Sequence, residues 1–330
     1  FLNDQPHQER SGLFLYLNSN KQGITLDLDT PTGREILGEL LAESQVFVHN
    51  LHPTEMDLLG VDYETLRTHN DRLIMASITP FGLTGPYRHY KAYDINLAAA
   101  GGICEGLGSP DREPLTFGTP EVGYFAAMAA ASSVVIALLA DQGQHIDIAE
   151  VESMAGIYNG PEALMAVYQW RMTRRTGHHA LDFPYPNCIL RCKDGYIFVG
   201  SPEGRQWRTL LEIMGEPEWA KEDRFRNRTT MNNEYADEVD GYMEEWLLQH
   251  TKEELLALAL EHRIPLAPVR DFQEVRNDES LSDQFVPIER RDTGQVYFAG
   301  PPYRISSQDE FAPSPAPLLG QDNSHVYCEG

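Results

Sequence analysis

Chemistry needs a reactive group held against a rigid background, and residues 115–140, LTFGTPEVGYFAAMAAASSVVIALLA, offer one candidate. Gly118, Thr119 and Pro120 form a turn-rich entry, Glu121 is the only acid in the stretch, and Asp141 follows its end. An uncharged run this long must be buried in protein or in lipid, so a group at its mouth is set against the largest core available. Glu121 is the acid at that mouth, where chemistry would be sought. Its plainer role is to stabilise a helix N-terminus just after Pro120, an effect of about 0.3–1 kcal/mol.

Other candidates lie upstream. Tyr93, Asp94 and Asn96 lead into AAAGG, where Gly101 and Gly102 permit close backbone approach. Asp94 reads as an acid that braces a loop by hydrogen bonding. Lys21, Arg88, His89 and Lys91 are cations able to pair with phosphate, against the alternative of solvated surface charge. Cys188 and Cys192 have a C-x-x-x-C spacing that matches neither the usual zinc nor the usual redox pattern, so no metal is expected. Four cysteines in a chain of this size read as buried free thiols of a cytoplasmic protein.

The elements that must position these groups follow a repeating order. Residues 24–28 (ITLDL) alternate like a strand. Thr30 then caps a helix with Pro31 at its first position and Ile36, Leu37, Leu40 and Leu41 on its apolar face. Residues 46–48 form a short strand ending at His49 and Asn50. A helix capped by Asp62 follows, then a strand at 73–78. Strand, helix, strand, helix, strand is the signature of βαβ units on a parallel sheet, whose ligands bind beyond the carboxyl ends of the strands. That rule points at residues 50–53 and at 79–87, where TPFGLTGPY has its backbone set by Gly and Pro. After the 115–140 helix come a strand at 145–148 and a helix at 151–172 with a basic end at Arg171, Arg174 and Arg175. From about residue 180 the composition shifts. FPYPNCILRCKDGYIFVG reads as a hairpin turning at Lys193, Asp194 and Gly195, followed by helices at 205–214, 234–249 and 252–262. The proline-rich tail reads as a loop returning across the surface.

The length of 330 residues allows more than one core. The reading is an α/β large domain over 1–183, a smaller domain over 184–281 and a return segment over 282–330. A net charge of −24, from 26 basic and 50 acidic residues, argues against nucleic-acid or anionic-membrane partners. Residues 122–140 have the length of a membrane span. Their Ala and Ser content, acids at both ends and lack of flanking Lys or Arg favour a buried helix instead. The chain opens FLNDQPHQER, with neither Met nor an apolar stretch, and reads as a fragment lacking its start.

NSNKQGITLDLDTPTGREIL, VFVHNLHP, LIMASITPFGLTGPY, AYDIN…GG, GTPE and GQHIDIAE, in that order, resemble the family III CoA-transferases, the superfamily of crotonobetainyl-CoA and formyl-CoA transferases and α-methylacyl-CoA racemases. The DGYIFVG strand with its Gln-Trp helix, RIPLAPV and APLLGQ extend the resemblance over nearly the whole chain. It implies a Rossmann-like large domain, a smaller α+β domain and a dimer of interlinked rings. It also implies an upstream strand-helix unit that contributes to the CoA site. The implied ligands are an acyl-CoA and a small carboxylic acid, with coenzyme A bound near Lys21, Asn50, Pro53, Phe81, Arg88 and Lys91. In the family's chemistry an aspartate becomes an acyl anhydride and then a thioester of CoA.

This chain departs from the pattern where it matters most. Aligned without gaps from Gly118, the family's G-x-P-x-x-D places its aspartate on Gly123. Asp94 matches a common family position near the active site, but the histidine that racemases carry before it is Tyr93 here. Where many relatives have an arginine after the N-x-x-P loop, this chain has Leu58. The pattern is most similar to a benzylsuccinate-type heteromeric subunit lacking the nucleophile, paired with an aspartate-bearing paralogue. The alternatives are a homodimer and an active enzyme using a non-standard carboxylate, Glu121 or Asp94.

Overall fold

Thr30 ends an extended lead-in as the sequence predicts. Its Oγ1 accepts the Gly33 N–H at 3.0 Å, and Pro31 opens α2 (Pro31–Glu43), which follows the short α1 (Gly12–Leu17). The structure, a computed structural model, describes residues 7, 9–157, 168, 175–179, 183–290, 294–306 and 313–328. Its contacts group into two compact units, residues 34–269 and residues 1–33 with 270–330.

Within residues 34–269, β1 (Val46–His49) is followed by α3 (Pro53–Leu59), α4 (Tyr63–Leu66) and β2 (Ile74–Thr79). Then come α5 (Asp94–Ala100), α6 (Ile103–Gly106), α7 (Glu121–Ala140), β3 (Gln144–Ala149) and α8 (Glu150–Ile157). The strands form a parallel sheet in the order β1-β2-β3, with His49 opposite Ser77 and Ser77 opposite Asp147. Helix α7 lies on β2 and β3, where Ala126 and Ala130 meet Ala76 and Ile148. Small side chains on both surfaces allow that close approach.

The expectation of a buried α7 holds for one stripe only. Val122, Ala126, Ala130 and Ala137 are buried, at helical spacing. Met128 is 62% exposed, Ile136 68% and Leu139 83%. The helix is apolar on every side, so its composition carried no mark of which side the chain itself covers. It is also long and apolar enough to cross a membrane.

Downstream, β4 (Asn187–Cys192) and β5 (Gly195–Gly200) form the predicted antiparallel hairpin, with β6 (Leu266–Pro268) added alongside β5. A core containing Tyr185, Leu190, Ile197, Leu210, Met243 and Leu255 is shared by these strands and the helices Gly204–Ile213, Ala236–Leu247 and Lys252–His262. The helix expected over 234–249 forms as Ala236–Leu247, and a further helix, Arg228–Glu234, precedes it. They are separated by Tyr235 at φ −130°, outside helical geometry. Beyond α8, most of the helix expected to residue 172 lies outside the described residues, as do Arg171 and Arg174. Arg175 pairs with Glu105 at 3.0 Å.

In the other unit, the strand expected at 24–28 does not form. Its backbone finds side-chain partners instead. Gly23 N–H donates to Asp322 Oδ2 at 2.7 Å and Thr25 N–H to Asn323 Oδ1 at 2.9 Å, beside the helix Asn323–Cys328. The segment read as a loop-like return also holds an antiparallel hairpin, β7 (Phe285–Arg290) with β8 (Gly294–Ala299). All four cysteines are free. Cys188 and Cys192 are buried as expected, whereas Cys104 is half-buried and Cys328 exposed.

Candidate functional site

The mouth of α7 is capped from a distance. Pro120, its N-cap, offers no side-chain acceptor, so the first-turn N–H groups need partners from elsewhere. The Gly123 N–H donates to Asp94 Oδ1 at 3.3 Å. Asp94 opens α5, and that entry is fixed by Tyr93 N–H donating to Asn96 Oδ1 at 3.0 Å. Leu97, Ala98, Val122 and Met154 bury together beneath, so packing holds the starts of α5 and α7 in place. Two residues 29 positions apart in sequence thus meet, with Asp94 bonded to the residue onto which the ungapped sequence reading places the family's aspartate.

Gly123 is not required by sterics. A Cβ built on it meets no heavy atom within 4 Å. Glu121 opens α7, so it points about 200° away from Gly123 around the helix axis. One of its carboxylate oxygens accepts from the Thr119 hydroxyl, and the other is buried without a hydrogen bond. Of the two weak candidates, the structure brings Asp94 to Gly123 and turns Glu121 elsewhere.

A third acid escaped the sequence reading. Glu150 opens α8 at the carboxyl end of β3, and α5, α7 and α8 pack on one another. Burial, and next the charge of Asp94, push its carboxyl above the usual range. The available signal was positional: an acid directly at the carboxyl end of a parallel strand, where ligands of such sheets bind.

The two loops predicted for nucleotide binding adjoin each other. Asn50 follows β1 and is exposed, and Pro53 is buried at the first position of α3. His52 Nδ1 accepts the Thr54 N–H at 3.2 Å, and the His52 and His89 rings lie 6.2 Å apart. In the second loop, both Asp147 carboxylate oxygens accept the Leu83 N–H, at 3.1 and 3.0 Å. Gly82, at φ +78°, supplies the turn that only glycine adopts easily. Phe81, Tyr87 and Tyr90 cluster with ring centroids 5.2–6.3 Å apart, and Tyr87 and Tyr90 are more than half exposed. Arg88 and Lys91 are exposed beside them. This surface combines flat aromatic faces with cations, the chemistry that suits a nucleotide. Lys21 belongs to the other compact unit, where its Nζ donates to Asn18 Oδ1 at 3.1 Å. Leu58 is 81% exposed.

Among the described residues, one cluster has metal-ligand chemistry: His178, His179 and Asp240. Both Nε2 atoms lie 2.8 Å from the same Asp240 Oδ2, and the Tyr185 hydroxyl donates to Oδ1 at 2.8 Å. Those bonds already satisfy the carboxylate and tie residues 178–179 to the helix Ala236–Leu247. Burial alone would raise the Asp240 carboxyl, but the hydrogen bonds from His179 and His178 prevail and hold it below the usual range.

Comparison with known proteins identifies the family. The model of CoA-transferase family III matches residues 2–323. The chain is 29% identical over 326 residues to succinyl-CoA–D-citramalate CoA-transferase of Chloroflexus aurantiacus, covering 95% of this chain and 79% of that protein. It is 30% identical to succinyl-CoA:mesaconate CoA-transferase of Haloarcula hispanica, covering 100% and 84% respectively. The crystal structure of a CAIB/BAIF family protein from Brucella suis superposes with a TM-score of 0.86 at 28% identity, covering 97% of this chain and 84% of that one. From the ordered motifs, the parallel sheet and these matches together, the chain belongs to CoA-transferase family III.

Proposed function

We propose that this chain acts in the transfer of CoA between an acyl-CoA and a small carboxylic acid, as a subunit that binds and positions but does not supply the family's nucleophile. The observation that carries this reading is Gly123, a residue without a side chain in the first turn of α7, with open space around its Cα. The nucleotide of CoA would lie on Phe81, Tyr87 and Tyr90, with Arg88 and Lys91 near its phosphates and the Asn50–Pro53 turn beside it. In this reading residues 1–183 form a Rossmann-like large domain, 184–281 a small domain and 282–330 a return segment to the large one. The exposed apolar face of α7 is covered by a second family chain in the assembly, an aspartate-bearing paralogue. The chain would work in the cytoplasm.

A second reading has one specific observation behind it. Asp94 reaches the N–H of Gly123, beside a Glu150 held toward its protonated form. Two neighbouring carboxyls, one of them shifted upward by burial and by the other, are a pairing that active sites use. Asp94 would then attack the thioester carbonyl and CoA thiolate would leave, giving the mixed anhydride without net proton transfer.

Trapping separates the two. The purified chain alone is incubated with succinyl-CoA and hydroxylamine or borohydride, and any modified carboxylate is mapped by mass spectrometry. No modification, with activity appearing only on adding a paralogue, supports the subunit reading. Modification at Asp94 overturns it in favour of the second.

A further inference from the structure

On the face of the sheet turned away from α7, a serine hydroxyl sits between two imidazoles. Side chains alternate along a strand, so Ala76 and Ile148 face α7 while His49, Ser77 and His145 share the other face. Ser77 Oγ lies 2.6 Å from His49 Nε2 and 2.8 Å from His145 Nε2. Ser77 is fully buried and His49 is 8% exposed, while His145 is half-buried, so the Ser77–His49 bond lies in the interior.

The direction of the protons follows from one further contact. Leu51 N–H donates to His49 Nδ1 at 3.1 Å, so that nitrogen carries a lone pair. The neutral ring then has its proton on Nε2 and donates to Ser77 Oγ. A hydroxyl has one proton to give, and here it must go to His145 Nε2, leaving the His145 proton on Nδ1. Burial keeps both rings neutral. It lowers His49, with His145 adding to the effect, to about 4, and it lowers His145 despite the opposing charge of Asp147. Phe47 stacks on His49 at 5.5 Å and Tyr63 of α4 on His145 at 5.4 Å, fixing both ring planes. Asp147 and Tyr63 are the other titratable groups facing the chain.

We propose that His49, Ser77 and His145 are positioning residues for the Asn50–Pro53 turn. They form a one-way series of hydrogen bonds that starts from the Leu51 amide and runs to His145 Nε2, and so sets the backbone on which Asn50 and Pro53 meet CoA. The proposal deepens the CoA-binding reading above and rests on it. Linked hydrogen bonds polarise one another, so loss of the central hydroxyl is felt at Leu51.

The test uses Ser77→Thr and Ser77→Val, which share a shape and differ in the hydroxyl. Amide exchange at Leu51 is measured by NMR in both, together with CoA affinity by calorimetry and the tautomer of His49 by 15N shifts in the unsubstituted chain. The expected result is the Nε2–H tautomer at His49, Leu51 protection kept in Ser77→Thr and lost in Ser77→Val, and CoA binding about 10-fold weaker in the valine variant alone. Equal protection of Leu51 in the two variants, or an Nδ1–H tautomer, overturns the proposal. Absence of CoA binding in the unsubstituted chain would overturn the CoA reading, while the exchange and tautomer measurements still decide whether the series sets the turn. Should Ser77→Val not fold, the intrinsic-rate-corrected protection of Leu51 is followed in the unsubstituted chain as pH falls toward 4. Protection that stays flat there also overturns it.

Discussion

Asp94 and Asp240 are both carboxylates at junctions between elements, yet they are held in opposite ways. Asp240 is buried and takes three side-chain donors, from His178, His179 and Tyr185. Asp94 is half-buried, accepts one long backbone bond from Gly123, and has another acid, Glu150, as its neighbour. A carboxylate whose oxygens are filled by protein donors is a structural clasp, because any ligand must first break those bonds. One that is sparsely bonded beside a second carboxyl is available to a ligand.

The largest test of that contrast is Gly123→Asp. With nothing within 4 Å of the new Cβ, the aspartate should fit the first turn of α7. It should give the lone chain CoA transfer and a trappable acyl-enzyme, a gain on the order of 10⁴-fold, as loss of other catalytic nucleophiles suggests. A folded Gly123→Asp that stays inert with a range of acyl-CoA donors would sink the subunit reading.

Next in size is a stability comparison. Asp240→Ala leaves the His179 imidazole and the Tyr185 phenol unpaired in the interior, and the exposed His178 without its partner, and should cost about 3 kcal/mol in urea unfolding. Asp94→Ala should cost about 1 kcal/mol or less, the worth of one remote helix cap. Comparable losses at the two sites would erase the distinction between clasp and available group.

The smallest effects are in pH dependence. Asp240 is held below its ordinary range, so its contribution is present above the unfolded carboxyl value and is lost as pH falls through the folded one. Asp240→Asn should therefore flatten the acid limb of stability. Glu150 is raised, with the opposite sign: its folded form favours the proton, and it weakens the fold as pH rises through its folded value. Glu150→Gln should accordingly be stabilising at neutral pH, with the gain vanishing as pH falls below the ordinary glutamate range. A Gln variant less stable than the parent at neutral pH would show that Glu150 makes a bond its charge requires.

How much of this was legible in sequence depended on whether the signal was local. Thr30 with Pro31, the turn at Lys193 and Asp194, and the order of β1, β2 and β3 are written in neighbouring residues, and the structure follows them. The pairing of Asp94 with Gly123 was reachable only through the family pattern, which marked both positions. Glu150 left only a positional trace, an acid at the carboxyl end of a parallel strand, and the His49–Ser77–His145 series left none, since it depends on strand register and burial. The 24–28 segment misled because alternation promises a strand only where a partner edge exists, and Asp322 and Asn323 serve its backbone instead. Helix α7 misled for the reverse reason: apolar residues all round say that something covers it, and only packing shows how little of that cover comes from the chain itself.

The open space around Gly123 has a genetic consequence. Every glycine codon becomes an aspartate or glutamate codon by one change, at its second base. A Cβ at this position meets no atom outside its own helix within 4 Å, so the first atom of the side chain is admitted without an accompanying substitution. In a population selected for CoA transfer by this chain alone, revertants at codon 123 should therefore arise first and recur independently.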